Sequence, residues 1–192
     1  MKLKRVLPFA KELLTSVIEP GDLVVDATAG NGHDTLFLAK LVGDAGHVYA
    51  FDVQPEAIQS TEEKLVEANL LSRATLILDG HENVSKYVQK EIAAAIFNLG
   101  YLPGSDLQIV TKGNSTIQAV ASLLEMLKVG GLIILVVYHG HPGGKEEKDA
   151  LMDYVMQLPY SYTHVLCYQF LNQQNTPPFI IAIEKMKENI SF

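Results

Sequence analysis

The stretch Val24-Val25-Asp26-Ala27-Thr28-Ala29-Gly30-Asn31-Gly32-His33-Asp34-Thr35 concentrates more chemical capacity than any other part of the chain. It reads as strand, glycine-rich turn and helix. Gly30 and Gly32 permit the positive φ and close backbone approach of a ligand-cradling turn. The helix that follows offers free N–H groups at its start, and Thr28 and Asn31 lie in the same candidate loop. A dinucleotide-binding turn would read G-x-G-x-x-G and set a pyrophosphate on that helix end; here the third position is Thr35. Asp26 ends the strand, and a carboxylate is a poor neighbour for a phosphate. It suits a cationic amino-acid group, whose ammonium it can hold directly or through water; a helix-capping aspartate is the plainer alternative. Asp52 stands twenty residues after Gly32, where a carboxylate can accept both hydroxyls of a ribose. Gln54 adds an amide there, and Asp52 otherwise reads as a cap before Pro55. Asp79 is placed to accept from an adenine amine, and His81 either packs on the base or is an ordinary surface histidine. Asp52 indicates an adenosine ribose and not which cofactor, but three acids, each at a strand's carboxyl end, are far more specific together than any one alone.

These acids meet only if the chain brings its strand ends to one edge. Apolar runs alternate with longer amphipathic segments, the pattern of a parallel sheet covered on both faces. Helices are expected over 6–19, 34–42, 55–69, 115–128 and 145–157. Pro20-Gly21 stops the first, Pro55 opens the third, and Gly130-Gly131 ends the fourth. Strands are expected over 23–26, 48–52, 75–78, 93–98, 132–138, 163–170 and 179–183. The last two are joined by LNQQNTPP, too short for a helical crossover, so they must pair antiparallel. The expectation is an α/β, Rossmann-like class I methyltransferase fold: a mostly parallel seven-stranded sheet with a C-terminal antiparallel hairpin, one domain over 1–192. That step is fold analogy. It turns the cofactor reading into S-adenosyl-L-methionine.

A sulfonium methyl is already electrophilic, so the protein must chiefly align a nucleophile and manage its proton. The fourth strand ends in Asn98-Leu99-Gly100-Tyr101-Leu102-Pro103-Gly104. Methyltransferases of exocyclic amines carry an N-P-P-Y loop here, and Asn98 and Tyr101 match its first and fourth positions; Leu99 and Gly100 do not match the prolines. An Asn carbonyl can accept from an amine N–H, and a Tyr can stack on a base or donate. A loop Asn and a core-edge Tyr are the plainer reading. The fifth strand ends in Tyr138-His139-Gly140-His141, where a histidine can orient substrate or move protons near neutral pH. Asn172 and Asn175 are candidates for substrate contact or simple turn residues.

Composition narrows the partners. The 192 residues, 48% hydrophobic and 19% charged, suffice for one domain with a substantial core. No apolar run reaches the ~18 residues of a membrane span, and the first residues lack the apolar core of a signal peptide. Cys167 is the sole cysteine, which excludes an intrachain disulfide and makes the cytoplasm the natural compartment. The histidines show no metal-ligand spacing, so no metal is expected. A net charge of −7 argues against a broad electrostatic grip on nucleic acid. Lys2, Lys4, Arg5 and Lys11 form a local basic cluster, read as an RNA contact or a solvated helix face. An NAD-dependent oxidoreductase is disfavoured by Asp26, the missing third glycine and the closing hairpin.

DATAGNGHDT, FDVQ, NLGYLPG, VVYHGHPGGKEE and NxxNxPPF, in that order, resemble a family of small bacterial proteins labelled rRNA methylases. The resemblance covers essentially the whole chain. That family includes a tRNA methyltransferase that converts wobble 5-aminomethyl-2-thiouridine to 5-methylaminomethyl-2-thiouridine. The resemblance implies N-methylation of a primary amine in a tRNA anticodon, with S-adenosyl-L-methionine as donor. It places the cofactor loop on Asp26 to Gly32, the ribose acid on Asp52, and the target-amine region on Asn98, Tyr101, Tyr138 and His139. Methylation of rRNA or of a small-molecule amine is the alternative, and a homodimer would widen the RNA-facing surface.

Overall fold

The computed structural model describes residues 2–100 and 113–188. Along the chain run α1 (Val6–Val17), β1 (Leu23–Asp26), α2 (His33–Val42), β2 (His47–Asp52), α3 (Pro55–Glu67), β3 (Ala74–Leu78) and α4 (Val84–Tyr87). There follow β4 (Ile92–Leu99), α5 (Gly113–Met126), β5 (Leu127–Val137), α6 (Gly144–Met156), β6 (Thr163–Tyr168) and β7 (Phe179–Lys185). Seven strands form one sheet in the order β3-β2-β1-β4-β5-β7-β6. β1 to β5 pair in parallel, so their carboxyl ends share an edge. β7 enters antiparallel between β5 and β6, as the short connection demands.

Strand alternation divides the core into two layers. Val25, Ala95, Phe97, Ile133 and Leu135 face one way, against α5 residues such as Ala119 and Leu123. Val24, Ala94, Ile96, Ile134 and Val136 face the other, toward α1 and α2. In α1 the buried residues are Val6, Ala10 and Leu14, spaced by four, which is one helical stripe. That stripe docks α1 on the sheet and leaves its neighbouring face at the carboxyl edge.

One boundary differs from the sequence reading. The helix expected to run to Gly130-Gly131 stops at Met126, and both glycines lie inside β5. Their role is a bulge. Leu127 pairs with Ile92, but Leu132 already pairs with Ala94, so β5 carries extra residues across that step. Gly130 has φ +79°, and a Cβ on Gly131 would lie 2.7 Å from the carbonyl oxygen of Ala93. Glycine is needed here to slip the register, not to cap the helix.

Candidate active site

The glycine-rich turn after β1 is stitched to the strands on both sides. Ala27 N–H donates to Ile96 O at 2.9 Å and Ala29 N–H to Phe51 O at 2.8 Å. Gly30 and Gly32 take φ of +52° and +74°. A Cβ on Gly32 would stand 2.7 Å from Thr61 Cα, so the turn and α3 meet backbone to backbone. Gly32 therefore packs; it is not on the cavity wall. Asp26 lies beneath the turn, fully buried. Its Oδ2 accepts from Thr35 Oγ1 at 2.6 Å and its Oδ1 from Thr28 N–H at 3.2 Å. Burial, then the charge of Asp34, pushes its carboxyl up to about 7. Asp26 is fully buried and does not line the cavity at the strands' carboxyl ends, so the fold gives it no direct contact with a ligand ammonium there.

A cavity of about 830 Å³ opens at the carboxyl ends of the parallel strands, within the usual range for small-molecule sites. Thr28, Gly30 and Asn31 of the glycine-rich turn line it, as do Asp52 and Gln54. Asp52 Oδ2 accepts from Gly30 N–H at 2.9 Å and Oδ1 from Gln54 N–H at 3.0 Å. Each carboxylate oxygen has two acceptor sites, which leaves capacity for a pair of hydroxyls. Asp79 is held by Tyr87 Oη, Asn83 Nδ2 and Gly80 N–H at 2.9, 2.9 and 2.8 Å. These bonds, Tyr87's first, keep its carboxyl below the usual range.

His81 also lines the cavity and is 8% exposed. Its Nδ1–H donates to Ala27 O at 3.0 Å, because a carbonyl can only accept. Nε2 is then the acceptor nitrogen; it is buried and has no protein partner. Burial keeps the ring neutral by lowering its pKa. An unmet buried acceptor costs about 1–3 kcal/mol, and the exocyclic amine of an adenine is a donor that would meet it. Beyond the Lys11–Asp34 pair, the wall carries Asp52, Asp79 and Glu82. That excess of acid over base fits a cationic cofactor and would repel a pyrophosphate.

Asn98 and Tyr138 also line the cavity. Asn98 N–H donates to Thr28 Oγ1 at 2.7 Å, and its Nδ2 donates to Asp34 Oδ2 at 2.8 Å. A carboxylate accepts only, so this bond fixes which end of the Asn98 amide is nitrogen and turns its carbonyl away from Asp34. Burial, and then the Asp34 charge, raises the Tyr138 phenol. α1 contributes Leu7, Ala10 and Lys11 to the wall. Lys11 Nζ lies 3.5 Å from Asp34 Oδ1 and 5.0 Å from the centroid of Phe37.

The structure thus gathers Thr28, Gly30, Asn31, Asp52, Gln54, Asp79, His81, Asn98 and Tyr138 at one cavity. Tyr101 lies outside the described residues. His139 is off the wall, its ring edge-on to Phe179 at 5.6 Å, since alternation sends it opposite to Tyr138. Asn172 and Asn175 are exposed turn residues, with φ +64° at Asn175. Lys4 of the basic cluster pairs with Glu12 at 2.6 Å. Sequence reasoning missed Asp34 as a site residue and read Lys11 as part of an RNA contact or a solvated helix face. The one available signal was Asp34's place two residues after Gly32.

Comparison with known proteins agrees with this geometry. The family described as "Putative rRNA methylase" matches residues 48–184. The chain is 36% identical to a protein of Arabidopsis thaliana named tRNA (mnm(5)s(2)U34)-methyltransferase, chloroplastic, over 95% of this chain and 70% of that one. A "putative rRNA-methylase" structure from Clostridium thermocellum superposes with a TM-score of 0.95 at 42% identity, covering 97% of this chain and 100% of the other. A "putative methyltransferase" of Streptococcus mutans, solved with S-adenosylhomocysteine (SAH), gives 0.89 at 43% identity, covering 96% and 99%.

Proposed function

The chain belongs to the rRNA methylase family of S-adenosylmethionine-dependent methyltransferases, and from that premise we propose that it methylates a primary amine in the tRNA anticodon. The substrate in this reading is the aminomethyl group of wobble 5-aminomethyl-2-thiouridine, and the product is 5-methylaminomethyl-2-thiouridine. The observation that carries it is the Asn98 amide. Its nitrogen is committed to Asp34, so its carbonyl is the end left to accept an amine N–H and aim the nitrogen lone pair.

The bound cofactor supplies an electrophilic methyl group. The protein's own share is to bind and orient. Asp52 and Gln54 suit the ribose, His81 Nε2 suits the adenine amine, and Thr28 links the turn to Asn98 through the 2.7 Å bond. Tyr138, half-buried on the same wall, offers a ring face and a hydroxyl to an incoming uridine. Alignment of this kind can supply several kcal/mol of rate acceleration without any acid or base. The name of the 36% identical Arabidopsis protein supports a wobble uridine; the family description favours rRNA as the second reading.

Nucleoside mass spectrometry of tRNA and rRNA from a strain lacking the gene, with and without its restoration, tests both. Accumulation of 5-aminomethyl-2-thiouridine, reversed on restoration, is the expected result. Unchanged wobble nucleosides with a lost rRNA methyl group would replace this substrate by rRNA.

A further inference from the structure

Asp34 ties two other side chains of the cavity wall together, and no role in cofactor binding explains these partners. Oδ2 accepts from Asn98 Nδ2 and Oδ1 faces the Lys11 ammonium. The phenol of Tyr138 and the buried carboxyl of Asp26 both lie within its field. Its side chain is 16% exposed, against 40% for Lys11. A carboxylate this enclosed needs a cation, and in the ligand-free protein a primary ammonium on a flexible stem provides one.

We propose that Asp34 is the docking carboxylate for the cationic amine of the substrate, and that Lys11 holds that place until substrate arrives. This rests on the amine-methylation reading above. The lysine is suited to withdrawing: it reaches in from the helix α1 at the cavity rim, its head is partly solvated, and exposed ion pairs of this kind are worth about 0–1 kcal/mol. The substrate's aminomethyl group is also a primary amine, with the same donors and the same charge when protonated. Held against Asp34, it lies beside Asn98, whose carbonyl takes a second N–H.

Charge bookkeeping gives Asp34 a second use. Before reaction one proton leaves the ammonium for water. The nitrogen then gains a bond to carbon as carbon loses its bond to sulfur, whose electron pair stays on sulfur. Positive charge therefore moves from sulfur to nitrogen and remains there as a secondary ammonium. A fixed carboxylate at the nitrogen end favours that movement, as preorganised charges do wherever charge develops.

The test is binding of anticodon stem-loop RNA to SAH-loaded protein, comparing RNA that carries 5-aminomethyluridine with RNA that carries uridine. Wild type should prefer the amine-bearing RNA by about tenfold or more, the scale of a hydrogen bond to a charged group. Asp34→Asn should erase that preference while holding SAH within about threefold of wild type, since the isosteric amide oxygen still accepts from Asn98. Lys11→Met should keep the preference. A preference that survives Asp34→Asn overturns the proposal, and so does a parallel loss of SAH affinity, which would make Asp34 part of the cofactor site. Preference for the amine in a protein that leaves cellular wobble nucleosides unmethylated would keep Asp34's role and sink the tRNA reading. Wobble methylation indifferent to Asp34→Asn would do the reverse.

Discussion

Asp26→Asn should abolish a pH dependence that the wild-type fold carries. In the folded chain the Asp26 carboxyl titrates at about 7 instead of 3.8, chiefly because it is buried and secondly because Asp34 is near. Between those two values the folded state holds one more proton than the unfolded state. Stability must then fall as pH rises through the window, and level off above the folded pKa. Each pH unit is worth about 1.4 kcal/mol, so a window of about three units amounts to about 4 kcal/mol. In a chain of this size 1 kcal/mol moves Tm by about 2–4 °C, giving a loss of about 8–16 °C from this residue alone. The asparagine escapes it: it has no charge to desolvate, its oxygen can accept from Thr28 N–H, and its amide can donate to a reversed Thr35 hydroxyl. Thermal unfolding of both proteins without ligand, from pH 4.5 to 8.5 at constant ionic strength, measures the difference directly. The variant should be no more stable near pH 4.5 and the more stable of the two above pH 7. A Tm difference that stays flat across the range would refute the claim that Asp26 is buried at a cost in charge.

Other residues carry predictions of their own. Gly32→Ala combines a left-handed φ with a Cβ 2.7 Å from Thr61 Cα; strain and overpacking together should cost about 2–5 kcal/mol, and a melting temperature within 1 °C of wild type would contradict the close packing. Leu14→Ala, at a fully buried position on α1, should cost about 2–5 kcal/mol by chemical denaturation; a smaller loss would mean that α1 is not firmly docked. Asp52→Ala should weaken SAH about 10–100-fold, since it removes hydrogen bonds to a charged group; unchanged affinity by calorimetry would end the ribose assignment. Asn98→Ala should lower kcat more than cofactor affinity, whereas equal loss of both would point to a role in shaping the loop.

What could be read in advance was whatever one element holds in its own register. The strand over 23–26 and the alternation of strand and helix follow from local apolar patterns, and the antiparallel closure from the length of one connection. The acids at the ends of β1, β2 and β3 were placed at the correct edge for the same reason. Their individual tasks were not legible, because a strand end does not say which neighbours claim the carboxylate. Thr35 and Thr28 turn Asp26 into the loop, while Gly30 and Gln54 hold Asp52 on the cavity wall. The Gly130-Gly131 pair misled similarly. Locally it looks like a helix stop, but its function is set by the pairing of β5 with β4, a contact between distant segments. Asp34 is the extreme case. Its neighbour Asn98 is 64 residues away in sequence, and Lys11 reaches it from α1, a separate helix packed on the same face of the sheet as α2. Spacing along the chain carries no information about such a triad. The distances among its members are set by how β1, β4, α1 and α2 pack, so the residues that give this site its chemistry become visible only once the core that positions them has been built.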